Sequence, residues 1–313
     1  MKTKEWWLDF LKGTTIGFAI PIPGVSGGTM AVLTGIFDKI ANAVSNIRHK
    51  FWESVKTLLP IGLGALVMAV IGFVGIKKGF ELAPVALSAL FAGLILGSTP
   101  VVTKELKNAK WDFWSVFRVV ASFVFACAIG IASALVYYYS GFSLAAYLTS
   151  NTWWIYPLLI IVGFIAATTA VIPGISGSMM MYLMGLYVPL ISLFTTWSNW
   201  TNPALLPLIL GGGVCLGIGC LVGFVTTNMW MKVLLAKKHD STYQVILGFV
   251  FGSLISMFVN PQMIHTDAVT GVNSWIYTDR PIWEWIVGGI LFVGAAVLLF
   301  LMTKKFSKKS DNA

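Results

Sequence analysis

Two short Pro-Gly-x-Ser-Gly segments contain the residues of this chain whose types and spacing suit chemistry. Residues 22–29 read Ile-Pro-Gly-Val-Ser-Gly-Gly-Thr, and residues 172–178 read Ile-Pro-Gly-Ile-Ser-Gly-Ser. Proline removes a backbone donor and glycine adopts conformations that other residues resist, so each segment predicts a break in an apolar helix. The helix after such a break begins with free N–H groups, small hydroxyls and a positive partial charge. The predicted chemistry is therefore the binding of an anion such as phosphate or carboxylate.

The candidate substrate-binding residues follow from the two breaks, with one basic residue added. Ser26 and Ser176 are also expected to cap the helices that follow. Arg118 is included because it is the one basic residue clearly inside a predicted span, and an intramembrane charge is a functional candidate. Snorkelling to the lipid headgroups is the alternative for Arg118, and close helix packing is the alternative for the glycines and serines. The full set is Pro23, Gly24, Ser26, Gly27, Gly28, Thr29, Pro173, Gly174, Ser176, Gly177, Ser178 and Arg118.

The residues that could break bonds or bind a metal do not form a known catalytic or metal-binding motif. The three histidines fall in separate loops, and Cys215 and Cys220 are five apart rather than in a C-x-x-C motif. Three acidic residues, Glu81, Asp112 and Glu284, stand at the ends of predicted spans. An interfacial position explains them more simply than proton carrying. We therefore predict no catalytic residues, no metal ligands and no cofactor.

The elements that must position the two breaks are transmembrane helices. Hydrophobic residues make up 57% of the chain, charged residues only 11%, and the mean hydropathy is +0.84. An ordinary soluble domain has about a quarter of its residues charged. The net charge of +9 lies mostly in short loops between apolar runs, as in cytoplasmic loops that face anionic lipid. This placement argues against nucleic acid as a partner and for the bilayer.

An internal repeat organises these spans. Residues 13–35 match residues 163–185 at a constant offset, with both Pro-Gly pairs in register. The chain is therefore predicted to consist of a first repeat, 1–150, and a second repeat, 151–313. Internal symmetry of this kind is typical of transporter folds, with a binding site at the interface of the repeats.

The distribution of Lys and Arg predicts the relative orientation of the repeats. If each Pro-Gly segment is a re-entrant hairpin followed by three spans, then all 21 Lys and Arg except Lys77, Lys78 and Arg280 are cytoplasmic. Three spans per repeat is an odd number, which turns the second repeat upside down. The predicted fold class is thus an all-α polytopic membrane protein of two inverted-topology repeats, with both termini cytoplasmic. Its hairpins are predicted at about 6–37 and 153–197, and its spans at about 57–76, 82–102, 113–139, 205–231, 243–260 and 282–303.

The doubled motif resembles that of the bacterial polyprenyl-phosphate transporter family, formerly a domain of unknown function. The resemblance extends over nearly the whole chain and rests on residues 22–29 and 172–178. It implies a flippase of the bacterial cytoplasmic membrane that returns undecaprenyl phosphate from the outer to the cytoplasmic leaflet for cell-envelope synthesis. The anion at the two breaks would then be the lipid phosphate. Coupling to a proton, to a sodium ion or to consumption of the carrier lipid stays open.

Two other functions are compatible with parts of the sequence. A transporter or channel for a soluble anion would have the same architecture. An undecaprenyl pyrophosphate phosphatase also has inverted repeats and a Pro-Gly-x-Ser motif, but that motif continues with an Arg that holds the pyrophosphate. Gly27 and Gly177 occupy that position here, and the only acidic pair four apart is Glu5 and Asp9, in the polar N-terminal tail. The sequence therefore lacks the residues that hydrolysis of the pyrophosphate requires.

Overall fold

The computed structural model of the protein describes residues 3–25, 27–142, 147–148, 152–267 and 270–310. The chain is helical almost throughout these ranges. In chain order the α-helices are α1 Thr3–Ala19, α2 Gly27–Leu33, α3 Phe37–Ser45, α4 Phe51–Leu82, α5 Pro84–Glu105, α6 Phe113–Ser140, α7 Ile155–Val171, α8 Gly177–Leu183, α9 Tyr187–Thr195, α10 Trp197–Trp200, α11 Leu206–Ser256 and α12 Ile282–Ser310.

A small non-helical region precedes α12, which the expected all-α fold did not include. Strands β1 (Ile264–Thr266) and β2 (Asn273–Trp275) pair antiparallel, with Ile264 opposite Trp275. They are flanked by the 3₁₀ helices Pro261–Met263 and Ile276–Asp279. Side chains at this connection bond to backbone groups: Oδ1 of Asn260 accepts from the N–H of Gln262, and Nδ2 of Asn273 donates to the carbonyl oxygens of Tyr137 and Tyr138 at the end of α6.

Five helices in the described residues are long and apolar enough to cross a membrane: α4, α5, α6, α11 and α12. At 51 residues, α11 would be about 77 Å long, more than twice the roughly 30 Å of a bilayer core. Its backbone leaves the helical region at Lys238 (φ −141°, ψ 46°). We therefore treat residues 206–237 and 239–256 as two helices. The protein is a multi-pass membrane protein.

The order of the helices in the first half of the chain recurs in the second half. α1 and α7 have 17 residues each, α2 and α8 have seven, and α3 and α9 have nine. Three long helices follow in each half. The turn at Ala83 (φ −146°, ψ 68°), between α4 and α5, resembles the break at Lys238.

The long helices of the two halves pack on one another in matched pairs. α5 packs on α12, and α6 packs on residues 239–256 of α11, while α1 and α7 pack on α4 and α11 respectively. Glycines make these close approaches, because a Cβ atom at each would lie within 2.6 Å of a facing carbonyl oxygen. The carbonyls belong to Phe292 and Ala296 for Gly93 and Gly97, and to Val119 and Phe123 for Gly248 and Gly252.

Glu284 joins the two halves by capping a helix of the other half. Its side chain is fully buried, and Oε1 accepts hydrogen bonds from the backbone N–H groups of Val85 (2.7 Å) and Ala86 (3.4 Å) at the start of α5. Oε2 lies 3.7 Å from Nη1 of Arg280. A carboxylate at a helix N-terminus satisfies donors that have no partner inside the helix. Glu284 therefore has a structural role that its sequence position did not reveal.

Replacing Glu284 with alanine is expected to destabilise the protein. Glu284→Ala leaves two buried N–H donors without their acceptor and Arg280 without its ion-pair partner, at a cost of about 2–4 kcal/mol. Glu284→Gln keeps a carbonyl oxygen for Val85 and should recover most of the loss. Thermal unfolding of the purified protein in detergent measures the difference. Equal stability of the alanine variant and the native protein would contradict the capping role.

Candidate functional site

Both Pro-Gly segments interrupt the chain between helices in the same way. The first break lies between the end of α1 at Ala19 and the start of α2 at Gly27, and the second lies between α7 and α8. Gly24 (φ +86°) and Gly174 (φ +80°) adopt the left-handed conformation, which costs little only for glycine. In each break the amide after this glycine donates to the isoleucine carbonyl three residues earlier. The predicted breaks are therefore present, with one turn geometry.

The two breaks meet at a cavity of about 360 Å³. The first break contributes Val25, and α2 contributes Gly27 and Gly28; the second break and α8 contribute Ile175, Ser176, Gly177 and Ser178. The remaining wall is almost wholly apolar and consists of Ile20, Phe73, Ala166, Ala167, Ala170, Met181 and Cys220. The cavity thus combines the hydroxyls of the second break and α8 with a lining that is otherwise mostly apolar.

A second, smaller pocket of about 40 Å³ also lies between the breaks. Gly24 and Gly174 both line it, together with Ser176. Its other walls come from α5 and α12 and include the hydroxyl-bearing residues Ser98 and Thr303. The left-handed glycines of both breaks therefore face one space.

The glycines of the breaks are also required by close packing. A Cβ at Gly24 would lie 2.9 Å from the backbone nitrogen of Ile95, and one at Gly174 would lie 2.6 Å from Cγ2 of Val102. At Gly177 it would lie 2.3 Å from the carbonyl oxygen of Ala166. Each break is therefore pressed against a neighbouring helix, which holds its backbone in place.

Ser176 differs from the cap that the sequence predicted. It occupies the N-cap position of α8, but its hydroxyl makes no capping hydrogen bond and instead lies 2.7 Å from Oγ of Ser178. The first amides of α8 thus receive no capping bond from Ser176, although N-terminal amides have no acceptor within their helix. α2 and α8 are only seven residues long, so their dipoles are weak. Amide and hydroxyl donors are the stronger attraction for an anion here.

The other predicted site residues occupy different environments. Pro23 is buried and Pro173 is half-buried within the breaks. Thr29 belongs to α2. Ser26 lies outside the described residues, so its predicted role stays a prediction. The assignment of the whole set to substrate binding likewise stays a prediction.

Arg118 lies in a polar network between α6 and α11, and it is absent from the described residues that line the two cavities. Its Nε donates to Oε1 of Gln244 at 2.9 Å, and Nη2 donates to Oγ of Ser115 at 3.2 Å. Asp112 caps α6, and its Oδ1 lies 3.9 Å from Nη2 of Arg118. The hydroxyl and amide of Ser115, and then Arg118, hold the pKa of Asp112 below its usual value. The neighbours of Arg118 thus give it a packing role that needs no substrate.

An aromatic cluster formed by α4, α5, α8 and α9 was not singled out from the sequence. It consists of Phe80, Phe91, Tyr182 and Tyr187, whose rings contact one another. The Tyr182 hydroxyl lies 2.7 Å from Oγ of Ser88, and the Tyr187 hydroxyl donates to the carbonyl oxygen of Pro21 in the first break. A comparison of the two repeats could have pointed to the tyrosines. Valine and phenylalanine occupy the equivalent positions 150 residues earlier, so the two hydroxyls are present in the second repeat alone.

Sequence comparison decides the family. Residues 16–273, which include both breaks, match the family described as VCA0040-like, undecaprenyl phosphate translocase-like. The chain belongs to this family. The resemblance drawn from the doubled motif is thereby confirmed. Within the described residues, no group of three or more His, Cys, Asp or Glu side chains is placed to hold a metal ion.

Two curated relatives carry the same printed name. A polyprenyl-phosphate transporter of Staphylococcus aureus (strain NCTC 8325 / PS 47) is 29% identical over 255 residues, which is 80% of this chain and 86% of the relative. A polyprenyl-phosphate transporter of Vibrio cholerae serotype O1 is 26% identical over 267 residues, covering 81% of this chain and 78% of the relative. No solved structure matches the chain.

Proposed function

We propose that this protein is a flippase for a polyprenyl phosphate and that the phosphate binds between the two Pro-Gly breaks. In the cell it would return undecaprenyl phosphate from the outer to the cytoplasmic leaflet of the bacterial cytoplasmic membrane and so recycle the carrier lipid for envelope synthesis. The observation that carries the proposal is the cavity of about 360 Å³ that both breaks line. The printed names of the two relatives support the substrate class.

The chemistry of the cavity suits a headgroup joined to an apolar tail. Hydroxyls of Ser176 and Ser178 and the amides at the start of α8 supply donors for phosphate oxygens. The apolar lining residues, which include Phe73, Ala170 and Met181, suit a hydrocarbon chain. These donors are neutral, so they hold the phosphate without trapping it, as transport requires.

An inverted repeat is the architecture that we propose for this site. Its support is the matched order and length of the helices in the two halves, the similar turns at Ala83 and Lys238, and the reciprocal pairing of α5 with α12 and α6 with α11. With three long helices after each hairpin, the halves have opposite orientations, and both termini are cytoplasmic. Binding at the interface of such repeats allows one unit to rock against the other around a fixed site.

A phosphatase is disfavoured by the composition of the same walls. None of the described residues that line the two cavities between the breaks is Asp, Glu, His, Lys or Arg. Hydrolysis of a phosphoanhydride needs a general acid or base, a metal or a cationic group near the transferred phosphoryl. The geometry therefore suits movement of a phosphate better than its cleavage.

Loss of the paired hydroxyls is expected to slow transport. Ser176→Ala with Ser178→Ala removes two donors from the cavity, and about 1 kcal/mol for each hydrogen bond corresponds to a decrease of roughly 10- to 30-fold in rate. The measurement follows a fluorescent polyprenyl phosphate between leaflets of proteoliposomes by chemical quenching. Ser140→Ala, at the exposed end of α6, is the matched control and should keep the native rate.

Three outcomes of that assay would contradict the proposal. The first is a native rate for the double serine variant. The second is equal movement of the corresponding polyprenol, which lacks the phosphate, because this indicates unspecific scrambling of lipids. The third is release of inorganic phosphate from the pyrophosphate form of the lipid, which would support an enzyme. Transport of free phosphate across the vesicle membrane would instead favour a soluble-anion transporter.

A further inference from the structure

The segments that follow the two breaks are buried to very different degrees. In the second half, Tyr182 and Tyr187 are 0% and 1% exposed. Their counterparts 150 residues earlier, Val32 and Phe37, are 53% and 49% exposed. Two related hairpins therefore have different packing, although the order and length of their helices match. Such an asymmetry is expected when an inverted-repeat transporter is closed on one side and open on the other.

The buried hairpin is attached to the first half of the chain. α9 packs on α4, and among the described residues no comparable packing joins α3 to α11. Nζ of Lys77 on α4 donates to Oγ1 of Thr196 directly after α9 at 2.7 Å. The bonds from Tyr182 to Ser88 and from Tyr187 to Pro21 also cross between the halves. Three hydrogen bonds and the packing of α9 on α4 thus connect this part of the second half to the first half.

The aromatic cluster separates two spaces. Phe80 lines a cavity of about 290 Å³ together with Glu81, Gln262 and residues near the ends of α4 and α6. Tyr187, which contacts Tyr182, donates to Pro21 in the first break, and Ile20 and Val25 of that break line the cavity between the Pro-Gly segments. Under the proposed topology, the cavity beside Phe80 opens to the outer surface. The route from the outer surface to the binding cavity is therefore blocked by these rings.

We propose that the aromatic cluster is the outer gate of the transporter and that this structure is a conformation closed to the outside. The proposal rests on the proposed function and its topology. Opening requires Tyr182 to leave Ser88 and Tyr187 to leave Pro21, which exposes the binding cavity to the outer leaflet. The gate residues act by controlling access, and none of them is needed to hold the phosphate.

The repeat also identifies the opposite gate. The turns at Ala83 and Lys238 are 155 residues apart, so the counterpart of Ser88 on the cytoplasmic side is Tyr243. The counterpart of Tyr182 is Val32, which forms no hydrogen bond through its side chain. The pair of Val32 and Tyr243 therefore has no counterpart of the bond between Tyr182 and Ser88, whereas the outer gate has two hydroxyl hydrogen bonds. This difference biases the protein toward the conformation closed to the outside.

Thiol accessibility tests the gate without any lipid substrate. The reporter is Val25→Cys, at the meeting point of both cavities, in a protein whose Cys127, Cys215 and Cys220 are changed to alanine. A charged, membrane-impermeant thiol reagent is added outside sealed vesicles with the outer face exposed. Adding Tyr182→Phe and Tyr187→Phe removes two hydrogen bonds and should raise the external labelling rate about 10-fold or more.

Tyr277→Phe is the matched control. The Tyr277 hydroxyl donates to the carbonyl oxygen of Phe258 within the second half, so its loss leaves the interface between the halves intact. Its labelling rate should stay within about twofold of the parent protein, since no bond across the gate changes. A double variant that is labelled at the parent rate, or a control that rises equally, would overturn the gate.

A second measurement keeps the test independent of folding and of transport. With Val25 unchanged in the cysteine-free parent, Ser88→Cys and Tyr182→Cys should be joined within one chain by a short bifunctional thiol reagent in the absence of lipid, because the closed gate holds these two side chains together; failure to join them would overturn the gate. Labelling is read without lipid. A negative result in the gate test therefore does not decide whether the protein transports lipid. A negative result in the transport assay likewise does not change the interpretation of the labelling.

Discussion

Alanine at both left-handed glycines is expected to lower the rate of lipid transfer by about 100-fold or more. Gly24→Ala places a Cβ 2.8 Å from Cγ1 and 2.9 Å from the backbone nitrogen of Ile95, and Gly174→Ala places one 2.6 Å from Cγ2 of Val102. Each substitution also forces a residue with a Cβ into a positive φ, at a cost on the order of 1 kcal/mol or more. Both breaks would shift, and a misplacement of about 1 Å at a binding site costs on the order of 100-fold.

Gly35→Ala is the matched control for this experiment. Gly35 has φ +64°, but a Cβ there would have no heavy atom within 4 Å. It therefore carries the same conformational cost without the collision, and its transfer rate should remain near that of the native protein. Fluorescence-detected size exclusion reports whether each variant is folded. Native transfer by the folded double variant, or equal loss in Gly35→Ala, would contradict the role of the breaks.

Alanine at the glycines between the halves is expected to destabilise the whole protein. A Cβ at Gly248 would lie 2.0 Å from the carbonyl oxygen of Val119, and one at Gly93 would lie 2.3 Å from that of Phe292. Overpacking of this kind costs about 1–3 kcal/mol per site, so the double variant should lose roughly 2–6 kcal/mol. Thermal unfolding in detergent measures the loss.

Gly294→Ala distinguishes steric collision from a general effect of alanine. Gly294 lies in α12, and a Cβ there would have no heavy atom within 4 Å. Alanine is a better helix former than glycine, so this variant should be as stable as the native protein or up to about 1 kcal/mol more stable. The double variant Gly93→Ala with Gly248→Ala should unfold at a lower temperature than Gly294→Ala. Equal unfolding temperatures would contradict close packing between α5 and α12 and between α6 and α11.

Local rules were sufficient to predict the breaks and the membrane class. Proline and glycine at 23–24 and 173–174 determine backbone geometry through short-range sterics, which a sequence displays directly. The helical, multi-pass character follows from composition alone. The family resemblance rested on the same short segments. The inverted repeat and the substrate-binding set are still predictions.

Side-chain partners across long sequence separations were not predictable in this way. Ser176 has the right type and position for a cap, yet its hydroxyl bonds to Ser178, because both point into one cavity. Glu284 caps a helix almost 200 residues away, and the tyrosines of the aromatic cluster find partners in the first half of the chain. Such contacts depend on the relative position of helices, and local patterns carry no information about it.

The absence of charged side chains from the described walls of the cavities between the breaks has an electrical consequence. If the phosphate crosses there, none of these wall residues carries a positive charge that could neutralise it. Each transfer toward the cytoplasm then moves net negative charge inward. A membrane potential that is negative inside opposes this step by about 2.3 kcal/mol per charge per 100 mV. A phosphate monoester with a second pKa near 6 halves that penalty by taking up one proton at the outer surface. The voltage and the external pH would then set the rate of lipid return.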